Sequence, residues 1–82
     1  MNRNRNSTKK VFVTRKIPQV GLDLLQARYD VVVNPLDRVL TENELIDGLK
    51  EADGLLCLLT DDINARVMDA SPSLKVISNY AV

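Results

Sequence analysis

The run Leu55-Leu56-Cys57-Leu58-Leu59 constrains this chain more than any other feature. It is apolar at every position, with Asp53-Gly54 before it and Thr60-Asp61-Asp62 after it. Successive side chains of a strand point to opposite faces, so a strand with one wet face alternates. A short run without alternation fits a strand covered on both faces, as in a parallel sheet packed between helices. Three further β-rich runs agree: Val11-Phe12-Val13-Thr14, Val31-Val32-Val33 and Leu74-Lys75-Val76-Ile77-Ser78.

The segments between these runs have helical spacing. Arg15-Lys16-Ile17-Pro18 breaks the first strand, and proline presets a backbone from which a helix can start. Val20, Leu24, Ala27 and Arg28 then share one face, with Leu25 beside them, and predict a helix over Val20–Tyr29. Asp30 ends it, and Asn34-Pro35 turns the chain after the second strand. Thr41-Glu42-Asn43-Glu44 has the form of a capping box. Behind it Leu45, Leu49 and Ala52, joined by Ile46, line one face of a second helix that reaches about Ala52. A short third helix is expected over Asn64–Ala70, capped by Thr60-Asp61-Asp62 and stopped at Ser71-Pro72.

The resulting order, β-α-β-α-β-α-β, implies an α/β fold with a parallel sheet and helices on both faces. Right-handed crossovers leave few topologies. The expected form is a flavodoxin-like three-layer arrangement with strand order 2-1-3-4, in which a fifth strand is expected and absent from the sequence. Residues 1–10 read as a flexible basic leader and 11–82 as the folded part.

Charge and composition exclude several function classes. Lys plus Arg and Asp plus Glu number 11 each, but Arg3, Arg5, Lys9 and Lys10 occupy the first ten residues without an acid among them. The remainder carries 7 basic and 11 acidic groups, so the folded part has no basic excess with which to track a nucleic acid. Cys57 is alone, which precludes an intrachain disulfide and points to a reducing, cytoplasmic setting. No apolar run approaches the ~18 residues of a membrane span, and no apolar stretch follows the leader as a signal peptide requires.

The chemistry available to these residues is narrow. The sequence has no histidine, so neither a Ser-His-Asp nor a Cys-His arrangement can form. Cys57, inside an apolar run, reads as a core thiol and not a nucleophile. Asp61 and Asp62 are adjacent carboxylates, but no third acid lies nearby for a hard cation, and helix capping is the plainer reading. Glycine occurs only at Gly21, Gly48 and Gly54, which excludes a dinucleotide fingerprint and a P-loop. Ligands of open α/β sheets gather at the carboxyl ends of the strands. That places Arg15, Lys16, Thr60, Asn79 and Tyr80 at the edge where a ligand would bind.

Three strings carry a family resemblance: Val11-Phe12-Val13-Thr14-Arg15-Lys16-Ile17-Pro18, Gly54-Leu55-Leu56-Cys57-Leu58-Leu59-Thr60-Asp61, and Leu74 through Val82. Together they resemble the N-terminal segment of the D-isomer-specific 2-hydroxyacid dehydrogenases, in particular the glyoxylate/hydroxypyruvate reductase (glycerate dehydrogenase) branch. The resemblance implies a substrate-binding (catalytic) domain built from both ends of a longer chain, with a Rossmann NAD(P) domain inserted between. It implies reduction of 2-keto acids to D-2-hydroxy acids with NAD(P)H in a full-length enzyme, which would be a cytoplasmic homodimer. It places Leu58, Leu59 and Thr60 in the loop over the substrate, and Val82 at the loop that holds the substrate carboxylate. The family's catalytic Arg, Glu and His and its glycine-rich loop have no counterpart here, so no catalytic, cofactor-binding or metal-binding residue is expected in this sequence and no cofactor is expected to bind it alone.

The same resemblance leads to the expectation that the 82 residues alone are inactive. Two alternatives stand beside it. One is a stand-alone flavodoxin-like or receiver-like binding module; Arg15-Lys16 after the first strand has the wrong sign for a receiver's metal pocket, and Pro18 removes a donor that a flavodoxin's phosphate loop needs. The other is an interaction domain that self-associates through the exposed edge at Leu74–Ser78.

Overall fold

The computed structural model describes residues 9–36, 38–58 and 60–79. They form, in order, β1 (Lys10–Val13), α1 (Gln19–Gln26), β2 (Asp30–Val33), α2 (Glu42–Leu49), β3 (Gly54–Cys57), α3 (Ala65–Asp69) and β4 (Val76–Asn79). The sheet has the order β2-β1-β3-β4, and every pairing is parallel. Fold class and strand order thus match the sequence reading.

The register explains why β3 has no polar position. Leu55 pairs with Phe12 on one side and Ile77 on the other, and Leu56 with Val13 and Ser78. Leu55 and Cys57 enter a core with Phe12, Leu40, Leu45, Leu49, Ala52 and Val67 beneath α2 and α3. Leu56 turns to the opposite face, where Val13, Ile17 and Leu22 form a second, smaller cluster. Burying a Leu, Val or Phe side chain stabilises by about 1.5–3 kcal/mol each, so the aliphatic core under α2 supplies most of the driving force.

Strand and helix ends differ from the sequence expectation by one to three residues, each for a visible reason. β1 starts at Lys10, the last residue of the expected leader, because the Lys10 carbonyl accepts from the Asp53 N–H (2.8 Å). Asp30 opens β2, its N–H donating to the Lys9 carbonyl (2.9 Å). β3 ends at Cys57 instead of continuing through Leu59, because the Leu58 N–H is taken by the Asp61 carboxylate (2.8 Å). β4 starts at Val76, since Leu74 N–H closes a turn on the Ser71 carbonyl (3.0 Å).

The buried face of α1 is a correction. The expected stripe, Val20 and Leu24, is 71% exposed at both positions, whereas Leu22 is buried and Leu25 packs beside it. Both stripes satisfy helical spacing. Ile17, buried just before the helix, anchors the chain so that Leu22 faces the sheet. The helix also stops at Gln26, short of Tyr29: Arg28 and Tyr29 both donate to the Leu25 carbonyl, which tightens and ends the last turn.

α2 has the expected start and buried face but ends at Leu49, short of the expected Ala52, because the Lys50 N–H donates to the Asp47 carbonyl and the Ala52 N–H to the Leu49 carbonyl, which tightens the last turn. Thr41 Oγ1 accepts from the Glu44 N–H (3.2 Å) while Thr41 N–H donates to Glu44 Oε1 (2.8 Å), completing the capping box. Leu45, Leu49 and Ala52 are buried. α3 is capped by Asn64, whose side-chain oxygen accepts from the Val67 N–H (3.0 Å), and not by Asp61 or Asp62. Among the described residues no helix is long and apolar enough to cross a membrane.

Candidate functional site at the carboxyl edge of the sheet

Polar residues close three of the four strands at the carboxyl edge, and hydrogen bonds join their ends. Thr14 continues β1, its N–H donating to the Leu56 carbonyl (3.1 Å), and its side chain is almost wholly buried. Asn34, also buried, follows β2 and donates its N–H to the Val13 carbonyl (2.9 Å). Its side-chain amide donates to the Thr14 carbonyl (3.0 Å) and the Leu36 carbonyl (3.2 Å), while its oxygen accepts from the Leu36 N–H (3.3 Å). Both side-chain polar atoms of Asn34 and its N–H are thereby satisfied, as burial demands.

On the other side of β1, Asp61 ties the loop after β3 to the same point. One oxygen, Oδ2, accepts from Thr14 Oγ1 (2.5 Å) and from the Leu58 N–H (2.8 Å). The Asp61 N–H donates back to the Leu58 carbonyl (3.1 Å), closing the turn Leu58–Asp61 on itself. Hydrogen bonds to a carboxylate are roughly twice as strong as neutral ones. This corrects the sequence reading of Asp61 as a helix cap: its charge is spent inward, on the hydroxyl of Thr14 and the amide of Leu58. Asp62 accepts from the Asn64 side chain (3.5 Å).

Of the residues assigned to the substrate loops from sequence, Leu58 is half-buried and Thr60 is exposed within that turn. Leu59 and Val82, with Tyr80, lie outside the described residues. Lys16 and Asn79 are exposed at the same edge, and Arg15 is half-buried there. The sequence reading did not single out Thr14 or Asn34 as organisers of this edge. The signal was a polar residue at the end of an apolar strand, Thr14 after Val-Phe-Val and Asn34 after Val-Val-Val.

Cys57 is buried in the core under α2 and α3, as its apolar run implied. Its thiol donates to Asn79 Oδ1 (3.0 Å), across the β3–β4 pair. Burial, and secondarily the Asp61 carboxylate, pushes the thiol above its usual range. A raised thiol pKa is the opposite of what a nucleophilic cysteine needs.

The described turn from β1 into α1 lacks the form of a dinucleotide cradle. The turn from β1 into α1 runs through Pro18, which lacks an N–H and provides no side-chain cap. Among the described residues no backbone φ is positive, so nothing resembles the tight glycine turn that brings amides against a pyrophosphate. Among the described residues no group of three or more His, Cys, Asp or Glu could hold a metal ion. An apolar groove lies away from this edge, on the open face of β3 and β4 beside α1, lined by Val11, Leu25, Tyr29, Leu56 and Val76.

Comparison with known proteins fits this geometry. Residues 11–82 match the family model of the D-isomer specific 2-hydroxyacid dehydrogenase catalytic domain. A glyoxylate reductase of Thermofilum pendens is 53% identical over 74 residues, and one of Thermococcus kodakarensis is 37% identical over 73. Each alignment covers 89% of this chain but only 22% of the relative, so the chain spans about a fifth of the length of the curated relatives it matches. Among solved structures, a Polaromonas protein assigned to the NAD-binding D-isomer specific 2-hydroxyacid dehydrogenases superposes with a TM-score of 0.85 at 30% identity. That match covers 92% of this chain and 24% of the Polaromonas chain.

Proposed function

Because this chain belongs to the D-isomer specific 2-hydroxyacid dehydrogenase family, we propose that it forms one wall of the substrate cleft of an oxidoreductase that reduces glyoxylate- or hydroxypyruvate-type 2-keto acids to D-2-hydroxy acids. Residues 11–82 are then part of the substrate-binding domain. Leu58, Leu59 and Thr60 lie over the substrate, and Val82 belongs to the loop that receives its carboxylate. The observation that carries this reading is the anchored turn after β3, a polar loop fixed at the carboxyl edge where open α/β sheets bind ligands.

The substrate is an anion, and a cationic side chain stands at this edge. The Asp61 carboxylate, which touches Leu58, already accepts from two donors. Lys16 is exposed at the same edge.

Hydride would come from NAD(P)H, held by another part of the full-length enzyme. The whole enzyme would be a cytoplasmic homodimer. The full-length protein should oxidise NADH or NADPH when given glyoxylate or hydroxypyruvate, and failure with both acids and both cofactors would overturn the reading. The purified 82-residue polypeptide should show no turnover above background in the same assay, because transfer needs a bound nicotinamide and a proton donor.

A further inference from the structure

We infer that Thr14 and Asp61 act together as positioning residues for the substrate loop, an inference that rests on the reading of Leu58–Thr60 as the segment over the substrate. The Thr14 side chain is not offered to a ligand. Thr14 is almost wholly buried, and its hydroxyl is directed at Asp61 Oδ2 (2.5 Å). That same oxygen accepts from the Leu58 N–H (2.8 Å). The path from sheet to loop is therefore short: the end of β1, one hydroxyl, one carboxylate oxygen, one loop amide.

The arrangement does two jobs at once. It ends β3, because the Leu58 N–H that would extend the ladder is diverted to the carboxylate. It also sets where the following turn projects, because the Asp61 N–H returns to the Leu58 carbonyl and the turn closes on itself. Thr14 is in turn fixed from the other side, its N–H on the Leu56 carbonyl and its carbonyl receiving the Asn34 amide. The loop is thus referenced to the backbone of β1, β2 and β3 together. Misplacing a substrate-holding group by even ~1 Å is costly to rate, so a loop that holds a small acid benefits from such a reference.

The pair makes a sharp chemical demand. Valine at position 14 keeps the shape but removes the donor, and serine keeps the donor but loses a methyl. If Thr14 only filled space, valine would be the milder change. If it positions the loop, serine would be.

Hydrogen–deuterium exchange read on peptides spanning residues 58–61 tests the pair in the 82-residue chain, and association of that chain does not prevent the measurement. Thr14→Val and Asp61→Ala should speed exchange at Leu58 by about tenfold or more, while Thr14→Ser stays within about threefold of the parent. Exchange in α2 should stay unchanged in all three and reports that the fold persists. Equal protection at Leu58 in the parent and Thr14→Val overturns the inference, as does a greater loss for serine than for valine. In the full-length protein, Thr14→Val should raise KM for glyoxylate about tenfold, with Thr14→Ser near the parent. If exchange behaves as expected but the parent shows no activity on 2-keto acids, the functional reading fails and the pair remains a loop anchor. If the parent is active and the KM of Thr14→Val is unchanged, the positioning role fails.

Discussion

Gly48 of α2 lies against the ring of Phe12 in β1, so close that a Cβ at position 48 would come within 2.5 Å of Phe12 Cζ and 2.8–2.9 Å of two neighbouring ring atoms. This contact sets the height of α2 above the sheet. Alanine is the better helix former by about 1 kcal/mol, but overpacking a filled core costs about 1–3 kcal/mol. Phe12 is buried, and its ring would have to shift to admit the methyl. Gly48→Ala should therefore destabilise the fold by up to about 2 kcal/mol, measured by urea unfolding. Gly21→Ala gives the contrast: its Cβ would meet only the flexible tip of Ile17, at 3.1 Å, so the change should be near neutral or stabilising. A stabilised Gly48→Ala would refute the packing account.

Acid should loosen the start of α2. The Arg38 guanidinium, through paired bonds of 2.8 and 2.7 Å, and then the Thr41 N–H hold the Glu44 carboxyl down to about 2, from an ordinary value of 4.5. A depressed carboxyl contributes stability that is complete above its unfolded value and is lost as pH falls through its folded one. The window is therefore pH 4.5 down to about 2. Because the pair faces solvent, the effect should shrink with added salt. Stability measured across that window for the parent and for Glu44→Gln should differ in slope, and parallel curves would contradict this assignment. Thr41→Ala, which removes the other half of the box, should cost about 1 kcal/mol.

Cys57 should be a slow thiol. Burial raises its pKa and the nearby Asp61 adds to the shift, so little thiolate is present near neutrality. Alkylation of the folded chain at pH 8 should run at least about tenfold slower than in denaturant, and comparable rates would argue against a core thiol. The sign on stability follows: a raised thiol favours the folded state below the ordinary thiol range and stops doing so as pH climbs through the folded value. Alkaline solutions above the ordinary range should accordingly destabilise the fold.

The outer edge of β4 should make the 82-residue polypeptide associate. Among the described residues β4 pairs with β3 alone, and Val76 is 60% exposed on a strand without charge or proline. Natural edges are commonly blunted with lysine or proline. Sedimentation should show association that grows with concentration, and Val76→Lys should reduce it. A monodisperse monomer at high concentration would count against an accessible edge.

Much of this architecture is readable from the sequence because it is local or repeated. The capping box at Thr41 and Glu44 spans three residues, and the apolar face Leu45, Leu49, Ala52 repeats at helical spacing, so α2 needed no partner to be recognised. The unbroken apolar run around Cys57 already required a covered, parallel strand, and the order β2-β1-β3-β4 followed from short right-handed connections. The orientation of α1 was not decided locally. Val20 with Leu24 and Leu22 with Leu25 are equally good stripes, and only the packing of Ile17 against the sheet selects the second. Asp61 is the clearest case. Beside Asp62 and Asn64 it reads as a cap, but its partner, Thr14, lies 47 residues away. A carboxylate bonds whichever donors the fold brings within reach, so its role was fixed only when parallel pairing set the ends of β1 and β3 side by side.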